Sequence, residues 1–363
     1  MGSNDTKVTI SMLGIADPAE TNIPKSKATT AANNQETQVS TVPFSKNGSF
    51  RVTLTQDSPK KTNDAQRKSN GNRAATTIDR TPLVKDIKYT VLVYDETGKY
   101  VTEKTYVNGS GTNEEIYLSA GKTYTFIAYS INSTSSIPTV ADAQNLSTAS
   151  LQNISSDLMF FFKKLKLTKG DNALNIILKH QYSQIITRIK MHTNTTGNIT
   201  AISNPVIKPT HLNANLKLSD GAISYNGSND NGTAVTFPAL GSATRDITST
   251  PTMLINPQST GGTLNFGSLT IAGETKENML IENLKIVPGQ RYTLILNYEV
   301  CTQDVNGAEM SWNYPIWKKN NNDSGSGAII DGNNTANGTV IKRDFIAPGA
   351  DYGFVYDIYS FSK

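Results

Sequence analysis

The three histidines and the single cysteine are the side chains most suited to metal binding or nucleophilic chemistry. His180, His192 and His211 do not have the spacing of metal ligands, and Cys301 has no histidine near it in the sequence. We interpret His180 as a packed residue at a domain junction and Cys301 as a buried thiol in an apolar strand. The sequence therefore predicts no catalytic residue, no metal site and no cofactor.

One short motif resembles the end of a phosphate-binding loop. Gly121, Lys122 and Thr123 have the required order, but Ile116 stands where the motif needs its first glycine. The residues that follow have the pattern of a strand, whereas a phosphate-binding loop leads into a helix. We therefore do not interpret this motif as a nucleotide site.

A group of aromatic residues near the C-terminus is the strongest candidate for ligand binding. Trp312 and Tyr314 would share one face of a strand, with Trp317 close behind, and aromatic faces bind the apolar side of sugar rings. Packing in a core or at a sheet edge, next to Pro315, is the alternative. The group provides a second hypothesis for function: a surface lipoprotein that binds glycans through an aromatic platform.

Composition excludes several classes of protein. Charged residues are 18% of the chain and the net charge is +4, with no module that reads nucleic acid, so we predict no nucleic-acid partner. No apolar run reaches the length of a membrane helix. The opening residues carry no export signal, and we expect one to have been removed from the chain. Asn- and Asp-rich stretches at 226–232 and 323–334 lack calcium-loop spacing, and we interpret them as solvated loops, with adventitious calcium binding as the alternative.

Alternation of apolar and polar residues identifies the first strands. Residues 8–15 (VTISMLGI) form one candidate, and residues 50–55 alternate with Phe50, Val52 and Leu54 on one side. The segments 21–38 and 56–80 contain too little apolar surface to offset the entropy of ordering them. We expect both segments to be exposed loops.

Strand patterns continue at short intervals from residue 87 onwards. A hairpin is predicted at 88–95 and 100–106, followed by strands at 115–118, 123–131 and 157–167 and a short helix within 139–153. The run 173–191 is long enough to close one domain and begin the next. The second half repeats the pattern as far as residues 352–361. Such spacing predicts an all-β fold of antiparallel sandwiches.

Several of these segments, taken in order, resemble the fimbrillin family of Bacteroidetes surface pilins. The resemblance rests on 118–130 (LSAGKTYTFIAYS), 178–185 (LKHQYSQI), 288–292 (PGQRY) and the strand 89–95 with Gly98. It extends over roughly residues 73–301. It implies two tandem transthyretin-like Greek-key β-sandwich domains, with boundaries that we place as follows: 1–86 for the N-terminal strands and exposed loop of domain 1, 87–178 for the rest of domain 1, and 179–363 for domain 2.

The resemblance also implies a mode of assembly at the outer membrane. Members are exported as lipoproteins, an arginine-directed protease cuts a loop near the N-terminus, and the first strand leaves. A strand of another subunit then takes its place. The expected partners are other pilin subunits, an arginine-specific protease and a host glycoprotein or glycan. The chain lacks an N-terminal cysteine for lipid attachment, which leaves its anchoring open.

These implications are carried over to particular residues of this chain. Arg73, in the sequence NGNRAA, is the expected processing site, and Arg67 and Arg80 are its rivals. The C-terminal run 352–361 is the candidate donor strand, or else the closing strand of domain 2. The apolar residues of the strand to be displaced are Val8, Ile10 and Met12, and those of the donor strand are Phe354, Tyr356 and Ile358.

Overall fold

A computed structural model describes residues 5–16, 37–45, 48–57, 80–111, 115–193 and 195–300. All regular elements in these ranges are β-strands, which confirms the predicted all-β class. No helix among the described residues is long and apolar enough to cross a membrane.

Twenty-two strands follow one another along the described chain. In order they are β1 Asp5–Ala16, β2 Thr37–Pro43, β3 Gly48–Gln56, β4 Arg80–Thr81, β5 Lys88–Tyr94, β6 Tyr100–Val107, β7 Glu115–Ser119, β8 Thr123–Ser130, β9 Ser150–Ile154, β10 Met159–Lys166, β11 Asp171–His180, β12 Ser183–Met191, β13 Ile199–Ser203, β14 Val206–Lys208, β15 His211–Lys217, β16 Ile223–Ser228, β17 Thr233–Ala234, β18 Asp246–Thr248, β19 Thr252–Leu254, β20 Ser259–Ile271, β21 Glu274–Ile286 and β22 Arg291–Val300.

The first sheet contains eight strands in the order β4-β1-β11-β10-β8-β5-β6, and β7 also pairs with β1. One end of this sheet is the predicted hairpin of β5 and β6, which is confirmed. The turn between these strands is fixed by Asp95, whose carboxylate accepts hydrogen bonds from the backbone N–H groups of Thr97 and Lys99 at 2.8 and 3.0 Å. The Thr97 hydroxyl also donates a hydrogen bond to this carboxylate and is the largest cause of its lowered pKa. All three bonds favour the ionised form of Asp95.

This sheet turns back on itself to enclose a core. β10 pairs with β8 along its whole length, but with β11 only at Met159 and Phe160. Beyond that corner, β11, β1 and β7 form one layer and β10, β8 and β5 the other. Fully buried side chains of both layers form one cluster, including Val8 and Leu174 from one layer and Val91 and Phe126 from the other. The arrangement is a β-sandwich, held by apolar burial between the layers.

A second apolar cluster covers the outer face of β5 and β8. Leu92 and Ile127 from these strands are fully buried against residues of a three-stranded sheet, β16-β15-β9. Leu151 of β9 and Leu216 of β15 belong to the same cluster. Residues 139–149, where part of a short helix was expected, form turns that lead into β9, so the helix prediction is wrong.

The six-stranded sheet has the order β18-β12-β22-β3-β2, with β19 also paired to β12. β11 and β12 lie in different sheets, so the run 173–191 passes from one sheet to the next, and its role as a domain boundary stays a prediction. β3 presents Phe50, Val52 and Leu54 as buried residues, as their alternation predicts. The hydrogen bond from the Asp57 N–H to the Arg291 carbonyl, 2.9 Å, continues the alignment of β3 with β22.

The strands within residues 1–86 belong to two different sheets. β1 and β4 join the first sheet, whereas β2 and β3 pair within the sheet of β12 and β22. Alternation determines that a segment is a strand and which side is apolar, but it does not select the partner strand. The placement of residues 37–56 in domain 1 stays a prediction.

The remaining sheet has five strands in the order β13-β20-β14-β17, with β21 also paired to β20. By its contacts, the chain divides into two units. The first comprises Met1–Val42, Arg51–Met191 and Thr196–Asn297. The second comprises Pro43–Phe50, His192–Thr195 and Tyr298–Lys363, and in it Phe44, Phe50 and Tyr298 pack edge to face at centroid distances of 5.5 to 5.6 Å.

A β-bulge interrupts β1 between Met12 and Gly14. The bulge reverses the alternation, so that Ile15 faces the core. Gly14 has a φ of 126°, and a Cβ at this position would overlap the carbonyl oxygen of Thr81 in β4. Only glycine fits the backbone at this point without strain.

Substitution of two phenylalanines should separate core packing from surface exposure. Phe126 is fully buried between the layers, whereas Phe162 on β10 keeps 37% of its surface exposed. We expect Phe126→Ala to lower the free energy of unfolding by about 3 to 5 kcal/mol, and Phe162→Ala by less than about 1 kcal/mol. Urea denaturation measures both values. Equal losses would contradict the assignment of the core.

Substitution of Gly14 tests the close approach of β4 to β1. Gly14→Ala should lower the free energy of unfolding by about 2 to 4 kcal/mol, because the new methyl group adds both backbone strain and overlap. Gly261→Ala on β20 is the matched control, since its Cβ would have open space around it. Thermal and urea unfolding give the comparison. If the two variants lose the same stability, β4 does not pack against Gly14.

Candidate functional site

The first strand is paired on both of its edges. On one edge β1 runs parallel to β11, in register from Lys7 with Asp171 to Ile15 with Leu178. On the other edge it runs antiparallel to β7, from Asp5 to Thr9, and then to β4 at Ile15 and Ala16. We call the channel between β11 on one side and β7 and β4 on the other the β1 slot.

The parallel pairing distinguishes β1 from the neighbouring hairpin strands. Parallel neighbours cannot be joined by a tight turn, and here β1 and β11 are far apart in the sequence. β1 therefore enters a layer whose other strands belong to a continuous later part of the chain. A segment of this kind can be exchanged for another strand without breaking a hairpin.

The apolar side of β1 lies in the core of the sandwich. Val8, Ile10 and Ile15 have 0%, 4% and 7% of their surface exposed. Met12 is partly buried against the same core, and the bulge that follows it turns Ile15 inward. Burial of three such side chains contributes about 5 to 9 kcal/mol before entropy is subtracted. The slot therefore has a strong preference for an apolar strand.

A polar network holds the beginning of β1. The Thr6 side chain is 3.0 Å from the Thr168 carbonyl oxygen and also contacts the Gly170 carbonyl oxygen. Asn172 donates from Nδ2 to the Thr6 hydroxyl at 3.1 Å and to the Thr168 carbonyl at 2.9 Å. These bonds connect β1 to the turn before β11, so they favour one register.

Lys7 forms ion pairs with both neighbouring strands. Its Nζ lies 3.3 Å from Glu115 Oε1 on β7 and 3.4 Å from Asp171 Oδ1 on β11. The hydrogen bond to Glu115 and the Asp171 charge raise the pKa of Lys7. Tyr117 donates its hydroxyl to Glu115 at 2.9 Å, and this bond raises the pKa of Tyr117. Exposed pairs of this type add little stability, but they define the alignment.

The site provides backbone groups and apolar contacts for a strand. If β1 leaves, the N–H and C=O groups that it pairs with on β11, β7 and β4 lose their partners, and the core loses part of its cover. A second extended segment restores both. Within the described ranges, no cluster of three or more His, Cys, Asp and Glu residues could hold a metal ion.

Arg80 is the one predicted processing residue within the described ranges. It is exposed and lies in β4, where it is the register partner of Ala16 at the end of β1. Arg67 and Arg73 lie outside the described residues. The choice of Arg73 over its rivals stays a prediction.

The other predicted sites fall partly inside the described chain. Val8, Ile10 and Met12 lie in the β1 slot, and whether this strand is displaced stays a prediction. Two groups lie outside the described residues and stay predictions: the aromatic platform of Trp312, Tyr314 and Trp317, and the donor strand with Phe354, Tyr356 and Ile358.

His180 is packed, as the sequence analysis predicts. Its side chain is 10% exposed, with Nδ1 2.7 Å from Asp157 Oδ1 and Nε2 3.1 Å from the Arg291 guanidinium. It lies at the end of β11, just before β12 begins. Its contacts are those of a structural residue between two sheets.

Several residues of the slot are not predicted by sequence reasoning. A glycine inside a strand pattern is a signal of a bulge or a close backbone approach, and Gly14 could have been found in that way. Lys7, Glu115 and Asp171 give no such signal, because they come together only when β7, β1 and β11 are aligned.

Several solved structures are distantly similar to this chain. A Bacteroides fragilis protein, named for a proposed role in cell adhesion, is 12% identical with a TM-score of 0.44, over 83% of this chain and 98% of its own. A Bacteroides uniformis protein, also named for cell adhesion, is 14% identical with a TM-score of 0.40, over 60% and 90%. A Bacteroides thetaiotaomicron protein, named for a proposed role in polysaccharide binding, is 15% identical with a TM-score of 0.34, over 52% and 70%. These similarities are too distant to support an argument about function.

No curated protein matches the chain at a significant level. The family comparison gives a direct result, because the sequence model described as fimbrillin-like matches residues 71–311. This match spans β4 to β22 and includes every strand that pairs with β1. The chain belongs to the fimbrillin-like family.

Proposed function

We propose that the chain is a structural subunit or adhesin precursor of a surface fimbria, and that a strand of another subunit replaces β1 after proteolysis. Membership of the fimbrillin-like family supports a fimbrial or adhesin role at the cell surface, in a family of adhesion and structural proteins and not of enzymes. The proposed precursor is a lipoprotein at the outer membrane. Its partners are other pilin subunits, with host glycoprotein or glycan as a further ligand.

The pairing of β1 on both of its edges is the observation that supports this proposal. A terminal strand with a buried apolar side and a partner on each edge leaves a complete binding site when it departs. β-strand addition uses the same two interactions, main-chain hydrogen bonds for affinity and side-chain pockets for specificity. The incoming strand gains the burial that β1 gives up, which makes exchange possible without a large net cost.

The preference for Arg73 as the processing site has a physical basis. A protease must take an extended, unpaired stretch of backbone into its active site. Arg80 is less suitable, since it lies in β4 and its neighbour Thr81 packs against Gly14. Arg73 precedes this pairing by several residues, as does Arg67, and Arg73 is closer to the start of the folded sandwich.

The C-terminal run 352–361 is our candidate for the incoming strand. Phe354, Tyr356 and Ile358 would share one face of an extended strand, as Val8 and Ile10 do in β1. A strand of this type can place that apolar face in a core. The same run in another copy of the chain could therefore occupy the slot.

A substitution series tests the cut and its consequence. We expect an arginine-specific protease to cleave the parent chain after residue 73 and to produce filaments visible by electron microscopy. Arg73→Ala should abolish both results, because the proposed cleavage site is lost. Arg80→Ala should behave as the parent, since the proposed cut does not involve it.

Mass spectrometry of the digest identifies the fragment, and electron microscopy identifies the polymer. Filament formation by Arg73→Ala at the parental rate would contradict the site assignment. Filaments that form equally well without protease would contradict the role of β1 as a strand that must leave first.

A further inference from the structure

Within the described residues, most of one edge of β10 has no partner strand, and the assembly proposed above does not use this edge. One edge of β10 pairs with β8 from Met159 to Lys166, whereas the other pairs with β11 only at Met159 and Phe160. From Phe161 to Lys166, no strand of the described chain occupies that second edge. The alternate N–H and C=O groups along this stretch point away from β8, and no described strand pairs with them.

The side chains of this edge form two surfaces. Phe161 and Leu165 are partly buried against the core between the layers. On the opposite side, Phe162 is 37% exposed, and Lys164 and Lys166 are exposed. A strand added to β10 would therefore meet an apolar side chain and two cations on its solvent side, at the spacing of alternate residues.

The charge at this edge is of one sign. Residues 158–170 contain four lysines and no Asp or Glu, and the neighbouring strands β8 and β5 also lack acidic residues. Among the described residues, no carboxylate forms an ion pair with Lys163, Lys164 or Lys166. On the β8 side of β10, the first carboxylate across the sheet is Glu103 on β6, three strands and about 14 Å away. On the other side, β11 begins with Asp171, which forms an ion pair with Lys7.

This charge determines which strands can approach. Two copies of β10 placed edge to edge would bring lysines against lysines, which opposes a symmetric dimer. The net positive charge of residues 60–73 disfavours that segment as a partner for the same reason. An acidic strand is attracted to these lysines, whereas a second β10 or another basic segment is repelled. The lysines therefore favour an acidic partner and oppose pairing with basic strands.

We propose that the outer edge of β10, from Phe161 to Lys166, is a second docking site, and that it binds an extended protein segment in which acidic and apolar residues alternate. Main-chain hydrogen bonds add the segment to the sheet, and its carboxylates face Lys164 and Lys166. Its apolar residues meet Phe161 and Leu165 at the border of the core. This site is formed in the uncut chain and does not require the release of β1.

A peptide-binding experiment on the uncut chain tests the proposal. The probe is a labelled heptapeptide that alternates glutamate and valine, and its binding is followed by fluorescence anisotropy at low and moderate salt. We expect saturable binding that weakens with salt, together with slower amide hydrogen exchange within 161–166. Lys164→Glu combined with Lys166→Glu should weaken binding by about tenfold or more.

Matched controls distinguish a strand site from simple charge attraction. Lys208→Glu, which reverses an exposed lysine on β14, should leave binding unchanged. Phe162→Ala should weaken binding by a few fold without loss of the fold. An equally acidic peptide interrupted by proline should not bind, because it cannot continue the sheet.

Three results would overturn the proposal. The first is no binding of the alternating peptide by the parent chain. The second is equal binding of the proline-interrupted peptide, which would indicate a general polyanion surface, such as one for acidic polysaccharide. The third is binding without protection of amides 161–166. Because β1 stays in place throughout, none of these results depends on processing at Arg73.

Discussion

The backbone pairing of β1 on both edges is the interaction on which the first sandwich depends. β11 forms eight register pairs with β1 but only two with β10, and β7 and β4 reach this layer through β1. Buried N–H and C=O groups are costly when unpaired, so this layer cannot persist unchanged without a strand in the middle. The N-terminal strand is therefore an internal member of the layer and not a cover added to a finished one.

Different contacts along β1 supply affinity and register. Val8, Ile10 and Ile15 provide apolar burial, which is large but does not by itself distinguish neighbouring registers of similar strands. Thr6 and Lys7 at one end and Gly14 at the other make contacts that a shift by one residue would lose. An apolar strand of suitable length can thus enter the slot, while the residues at its two ends decide whether it aligns.

The sequence predicts the strands far better than it predicts their partners. Alternation identifies β1 and β3 and their apolar sides, and turn residues identify the β5–β6 hairpin, because both signals are local. The partner of β3 is β22, more than two hundred residues later, and no local pattern specifies that choice. The charged contacts of Lys7 have the same origin, since their three residues come from three separate strands. Ile15 was missed as a core residue because a bulge reverses the alternation on which the prediction relied.

The position of β3 has a consequence for the cut chain. A break after residue 73 leaves β1, β2 and β3 on one fragment, and β3 is held in another sheet by buried Phe50, Val52 and Leu54. The fragment would stay bound through β3 even while β1 moves out, and a tethered strand rebinds at a high effective concentration. An incoming subunit would then compete with an anchored rival and not with a strand lost to solution. Cleavage after residue 73 and replacement of β1 then become separate steps. The time between them depends on how long β3 stays paired in its sheet.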